Sequence, residues 1–184
     1  MTAATPLTLE RAKSSPAPRP RPAQTGRQVI SGEIVTVSDP QGARAEAIRA
    51  LRTYIIAQHI HGGRRALSVC GASPDVGCTF VAVNLAVALA QVGFKTLLID
   101  ADLRNPAVTE FFRPSRPEVG LRQCLATPDV TFTEATDAEV LPNLYVLQAG
   151  GAADNPQELL AGSRFQDLMD VCLRDFDITI VDTP

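Results

Sequence analysis

No stretch of this chain approaches 18 consecutive apolar residues, and its first residues contain no apolar core followed by a small-residue cleavage site. Neither a membrane span nor a signal peptide is expected, which points to a cytoplasmic location. The four cysteines, Cys70, Cys78, Cys124 and Cys172, show no C-x-x-C spacing. That argues against a zinc site or a disulfide framework and for reduced thiols. No internal repeat is visible. Lysine is confined to Lys13 and Lys95, so a site that needs a lysine has few places to take one from.

What is present suffices for one domain. The 184 residues are 45% hydrophobic and 20% charged, enough for a sizeable core. The net charge of −3 is unevenly divided: residues 1–30 carry Arg11, Lys13, Arg19, Arg21 and Arg27 against Glu10, so the remainder is acidic. Residues 1–28 contain Pro6, Pro16, Pro18, Pro20 and Pro22 and almost no large apolar residue. Such a segment buries too little surface to offset its ordering entropy, so a disordered tail over 1–28 and a folded domain over 29–184 are expected. The Pro-Arg alternation favours extended backbone, as a plain linker or as an attachment to anionic lipid or an acidic partner.

Residues 66–90, ALSVCGASPDVGCTFVAVNLAVALA, organise the rest. The short β-branched run 67–70 is bounded by Gly71, and residues 80–90 are rich in Ala and Leu without Pro or Gly, so a loop joins a buried strand to a helix. This is the layout of a phosphate-binding loop, in which backbone N–H groups and a helix N-terminus face the phosphates and a hydroxyl after the lysine position holds Mg²⁺. Gly77 and Thr79 occupy the last places of G-x-x-x-x-G-K-[ST], whereas Cys78 stands where lysine belongs. Ala72 takes the place of the first glycine, with Gly71 one residue earlier. Set at a helix start, Cys78 should be more reactive than Cys70, which is read as lying within the strand.

An edge strand is expected over 28–37, then a turn at Asp39-Pro40 and a helix over 44–59. Glu46, Arg49 and Arg52 fall along one side of that helix, and Ile48, Leu51, Ile55 and Ile56 form an apolar stripe. A solvated face with internal ion pairs explains them as it stands. His59 and His61, beside Gly62 and Gly63, read as helix C-terminal capping residues. A second buried strand over 95–100 ends in Asp100-Ala101-Asp102, and a third over 178–181 is followed by Asp182. Carboxylates at the carboxyl ends of strands stand at the rim where α/β sheets bind ligands, and an acidic residue after an apolar strand can hold a nucleotide's Mg²⁺. Each alone could be a turn or capping Asp; three beside a phosphate loop point to a site. With helices over 121–126, 155–160 and 164–174 and a strand over 143–148, the alternation predicts an α/β fold with a parallel sheet covered on both faces. The chain stops directly after the Asp182 strand, and the expectation is a fold incomplete at its C-terminal side.

Five blocks in order, Glu46-x-x-Arg49-x-x-Arg52, SPDVGCTF, LLIDADLRNP, NPQELL and ITIVDTP, resemble the cytoplasmic domain of bacterial tyrosine autokinases (BY-kinases). Those proteins act in exopolysaccharide and capsule chain-length control and export, and are related to the partition and septum-site P-loop ATPases. The resemblance covers about residues 39–184 and implies a three-layer P-loop NTPase fold. It implies ATP or ADP and Mg²⁺ as cofactors, cradled by Ser73, Pro74, Asp75, Val76, Gly77, Cys78, Thr79 and Phe80. It makes Thr79, Asp100 and Asp182 the metal residues, Asp100 and Asp102 the catalytic pair with Asp102 as base, and Glu46, Arg49 and Arg52 a homo-oligomer interface. A membrane polysaccharide co-polymerase is the implied partner, recruiting the protein to the inner face of the cytoplasmic membrane; no nucleic-acid partner is expected.

The chain departs from this family at Cys78 and in having only Tyr54 and Tyr145 as tyrosines, without the family's tyrosine-rich tail. A lysine acting on developing phosphoryl charge contributes about 2.7 to 4 kcal/mol. Arg104 or an arginine of a neighbouring subunit is the available substitute. Two functions follow: a tyrosine autokinase or weak ATPase with an altered loop, or a catalytically impaired interaction partner of the co-polymerase. A partition ATPase fits less well, since Ser73 stands where that group has an extra lysine.

Overall fold

The apolar runs of the sequence become the middle of a five-stranded sheet of order β1-β5-β2-β4-β3. The computed structural model describes residues 31–73 and 76–184. The tail expected over 1–28, the beginning of the expected edge strand, and Pro74 and Asp75 lie outside the described residues. β1 (Ala66–Val69), β5 (Ile178–Asp182), β2 (Thr96–Asp100) and β4 (Leu144–Leu147) are parallel, and β3 (Thr136–Leu141) closes one edge antiparallel to β4. Every residue of β2 and β5 is buried, as expected for central parallel strands covered on both faces.

Strand alternation divides the core. Leu98, Ile178 and Ile180 face α3 (Cys78–Gln91), whereas Leu97, Ile99 and Val181 face α4 (Leu121–Ala126) and α7 (Ser163–Asp175). Helix α3 carries almost nothing polar, and Ala82 through Ala90 are all buried, because it is enclosed by the sheet on one side and α2 (Ala43–Ile55) on the other. Its one buried amide, Asn84, accepts the Val35 N–H at 2.9 Å and donates to the Phe80 and Glu33 carbonyls at 2.9 and 3.2 Å.

Asn84 overturns the expected edge strand. Residues 31–34 form a turn and Val35–Ser38 is a short helix, α1, with Ile34, Val35 and Thr36 buried. The β-branched residues there serve burial against α3 instead of strand pairing. The helix expected over 44–59 is α2 followed by a π-helical turn at Ile56–Ile60. His59 is not a helix cap: its Nε2 lies 2.7 Å from the Ala66 carbonyl and ties the helix end to the start of β1. β3 and the short α5 (Phe132–Ala135) are elements the sequence reading lacked. The Asp, Ala and Glu of β3 are poor strand formers, and pairing with β4 across the Pro142-Asn143 turn decides their conformation, Asn143 taking φ 64°. α6 (Pro156–Ala161) precedes α7.

Candidate functional site

Three strand ends meet at one rim. Val69 is the register partner of Asp182, and Asp182 that of Asp100. Partners across parallel strands project to the same side, so Asp100 and Asp182 continue the alternation of Leu98 and Ile180 onto the α3 face. The loop from β1 to α3 crosses that face. The Thr183 N–H and hydroxyl both donate to the Val69 carbonyl at 3.0 Å, clamping β5 to β1 directly below the loop.

The loop itself is shaped by two glycines. Gly77 sits at φ 90° as the N-terminal cap of α3, a left-handed backbone that glycine adopts without strain. Gly71 makes room: a Cβ there would come 2.8 Å from Cys78 Sγ and 2.7 Å from Val76 Cγ2. Ser73, Val76 and Gly77 are exposed, while Cys78, Thr79 and Phe80 are half-buried at the helix start. β1 ends at Val69, so Cys70 lies past the strand and is exposed, contrary to the expectation that it would be the more shielded thiol.

Beneath the loop lies an acidic cluster. Asp100 is fully buried; its Oδ2 accepts the Val108 N–H at 3.1 Å and its Oδ1 has no partner. Burial, with the charges of Asp182 and Asp102 added, pushes its carboxyl from about 3.8 up to about 7. Asp182 is also raised, chiefly by burial; the Thr79 hydroxyl draws it back down, and the Asp102 charge raises it again. Neither Asp182 oxygen makes a well-formed hydrogen bond. Asp102 differs: it is half-buried at the rim and its Oδ1 accepts the Arg104 and Asn105 N–H groups, both at 3.0 Å, closing an Asx turn.

Unpartnered buried carboxylate oxygens beside a threonine hydroxyl fit a divalent cation, since a buried charge without a partner is costly. Among the described residues no three His, Cys, Asp or Glu side chains are placed to enclose a metal by themselves. Phosphate oxygens and water would have to complete the shell, which is how Mg²⁺ is ordinarily held. Thr79, Asp182 and Asp100 are thus brought together, with Asp102 at the rim. Arg104 is exposed, and its backbone N–H donates to Asp102. Lys95 is at the other end of β2, over the rings of Tyr145 and Phe176. Glu46, Arg49 and Arg52 lie away from the loop: Arg49 pairs with Glu46 at 2.6 Å and donates to the Pro40 carbonyl, and Arg52 reaches the Ala88 carbonyl at 3.4 Å.

The sequence reading passed over two buried amides. Asn84 was hidden in an apolar helix, and Gln148, buried just past β4, donates to the Phe112 carbonyl at 3.0 Å. A lone polar residue in each apolar run was the available signal.

A family model described as "CobQ/CobB/MinD/ParA nucleotide binding domain" matches residues 67–164. The tyrosine-protein kinase YwqD of Bacillus subtilis is 34% identical over 152 residues, 82% of this chain and 63% of that protein. The tyrosine-protein kinase etk of Escherichia coli is 35% identical over 151 residues, 82% of this chain and 20% of that protein. The chain therefore spans from about a fifth to under two thirds of the length of these curated relatives. The solved kinase domain of that Escherichia coli tyrosine kinase superposes with a TM-score of 0.76 at 35% identity, covering 82% of this chain and 58% of the other. The septum site-determining protein MinD of Pyrococcus horikoshii, solved with Mg-ADP, gives a TM-score of 0.55 at 23% identity over 65% of this chain and 49% of the other, a likeness of fold.

Proposed function

The chain belongs to the CobQ/CobB/MinD/ParA nucleotide-binding domain family, and from that premise we propose that it binds MgATP and MgADP as a tyrosine-autokinase-like domain. Its service is exopolysaccharide or capsule synthesis and export, at the inner face of the cytoplasmic membrane beside a membrane polysaccharide co-polymerase. One observation carries the reading. A glycine-capped loop leads into α3, whose Thr79 hydroxyl lies against Asp182, and Asp100 Oδ1 and both Asp182 oxygens are buried without a well-formed hydrogen bond.

The roles follow from placement. The N–H groups that begin α3 have no intrahelical acceptors and, with the helix dipole, attract phosphate oxygens. Thr79 and Asp182, aided by Asp100, hold Mg²⁺, which neutralises charge on the terminal phosphates. Asp102, the acidic group least buried of the three, is the proposed acceptor of the proton of an attacking hydroxyl. Glu46, Arg49 and Arg52 supply a contact between copies of the chain.

Cys78 favours a second reading, a catalytically impaired partner of the co-polymerase. Neither Asp100 nor Asp182 is drawn down by a described cation. Without the loop lysine the N–H cradle still binds nucleotide, and transfer slows by about 10² to 10³. Titration calorimetry with MgADP tests the shared premise. Binding that vanishes on Asp182→Ala supports the site, whereas absence of heat and of any thermal shift at millimolar nucleotide leaves only a structural role.

A further inference from the structure

The sequence contains two tyrosines, Tyr54 and Tyr145, and the fold treats them oppositely. Tyr145, on β4, is half-buried: its ring packs edge-on against Phe176 at 5.2 Å, Lys95 lies over it at 5.4 Å, and its hydroxyl donates to Glu139 at 3.5 Å. Tyr54, in the last turn of α2, is 64% exposed. Its neighbours one helical turn away, Ala50 and Gln58, are themselves exposed, so these described neighbours leave the phenol open. Directly after it the helix loosens into the π-helical turn at Ile56–Ile60, a feature often found at functional positions.

We propose that Tyr54 is a phosphoacceptor of this chain, modified on its hydroxyl by the nucleotide site of a second copy. The inference rests on the kinase-like reading above and names its substrate. Transfer within one copy is ruled out by position. Arg52, on the α3 side of α2, meets Ala88, which lies about 15 Å along the helix axis from Cys78 at 1.5 Å per residue. Tyr54 is on the solvent side of α2, and the end of that helix is tied by His59 to the start of β1, the opposite end of the sheet from the loop.

In the step, Tyr54 Oη forms a bond to the γ-phosphorus of ATP bound to the other copy. The bond from that phosphorus to the β,γ-bridging oxygen breaks, and its electron pair leaves with ADP. The phenolic proton passes to the rim carboxylate of the catalysing copy. Because no described cation lies one turn either side of Tyr54 on α2, the product phosphate is left available to a cationic group of another molecule.

The test incubates the full chain with MgATP, as wild type and as Cys78→Lys, and maps phosphate by tandem mass spectrometry while counting ATP hydrolysis. Phosphate is expected on Tyr54 at more than about tenfold the level on Tyr145, whose ring must first be released from Phe176 and Lys95 to enter a second copy's site. Mixed with the Tyr54→Phe chain, an Asp182→Ala copy should receive the phosphate on its own Tyr54. Tyr54→Phe, an exposed change, should lose the phosphate and keep hydrolysis. Hydrolysis without phosphate on Tyr54, or no phosphate on Tyr54 of an Asp182→Ala copy mixed with the Tyr54→Phe chain, overturns the proposal and leaves the nucleotide reading standing. Absence of nucleotide binding and of hydrolysis in both proteins overturns that reading, and the proposal with it.

Discussion

Asp100 and Asp182 are register partners on adjacent parallel strands, both buried and both on the face that carries α3. Two carboxyls so placed cannot both ionise cheaply without a cation.

The first prediction is a pH dependence of stability in the presence of EDTA. Asp100 is raised from about 3.8 to about 7, so between those values the folded chain holds a proton that the unfolded chain has released. Stability is fully present below about pH 4 and falls as pH rises through about 7, by as much as about 4 kcal/mol for this shift. Denaturant midpoints should therefore fall from about pH 5 to about pH 8, and Asp100→Asn should flatten the curve. A flat wild-type profile would show that the carboxyl is not held protonated.

Cys78→Lys should raise ATP hydrolysis at least about tenfold, because the position opens α3 and a cation there acts on charge developing in transfer. A smaller gain in a variant that binds nucleotide more tightly places the defect elsewhere. Thiol labelling gives a separate reading of the same loop. Exposed Cys70 should react first, and MgADP should protect half-buried Cys78.

Replacing Arg49 and Arg52 together by Ala should shift the protein toward monomer in light scattering at matched concentration. Within the chain these arginines make exposed or half-buried contacts, so the expected loss of stability is only about 1 kcal/mol. An unchanged mass beside an oligomeric wild type would remove this helix as the contact.

Gly120→Ala tests the junction of the rim loops. A Cβ there would strike the Gln148 carbonyl and the Gly150 backbone, neither of which can rotate away. Destabilisation on the order of 2 kcal/mol or more is expected in thermal unfolding, and a wild-type melting temperature would show that the junction yields.

Much of the site was legible because its signals are local. An apolar run bounded by Gly71, a glycine before a helix, and an Asp after each of two apolar strands can be read within a few residues, and α4 was expected at the bounds it has, Leu121–Ala126. Where the partner is distant in sequence, local reading failed. Val35 and Thr36 look like strand residues until Asn84, on another helix, takes the Val35 N–H. His59 looks like a cap until Ala66 is beside it, and Cys70 looks shielded until β1 ends one residue early.

Composition, periodicity and the order of motifs thus determined the α/β class, the strand-to-helix loop with its cysteine, and which carboxylates stand at strand ends, since each depends on residues near one another in the chain. Only the tertiary structure decided that Asp100 and Asp182 lie side by side on the face of α3, that no described cation draws either of them down, and that Tyr54 is more open to solvent than Tyr145. Strand order, helix packing and burial are set by contacts between residues tens of positions apart, and a single sequence does not display them.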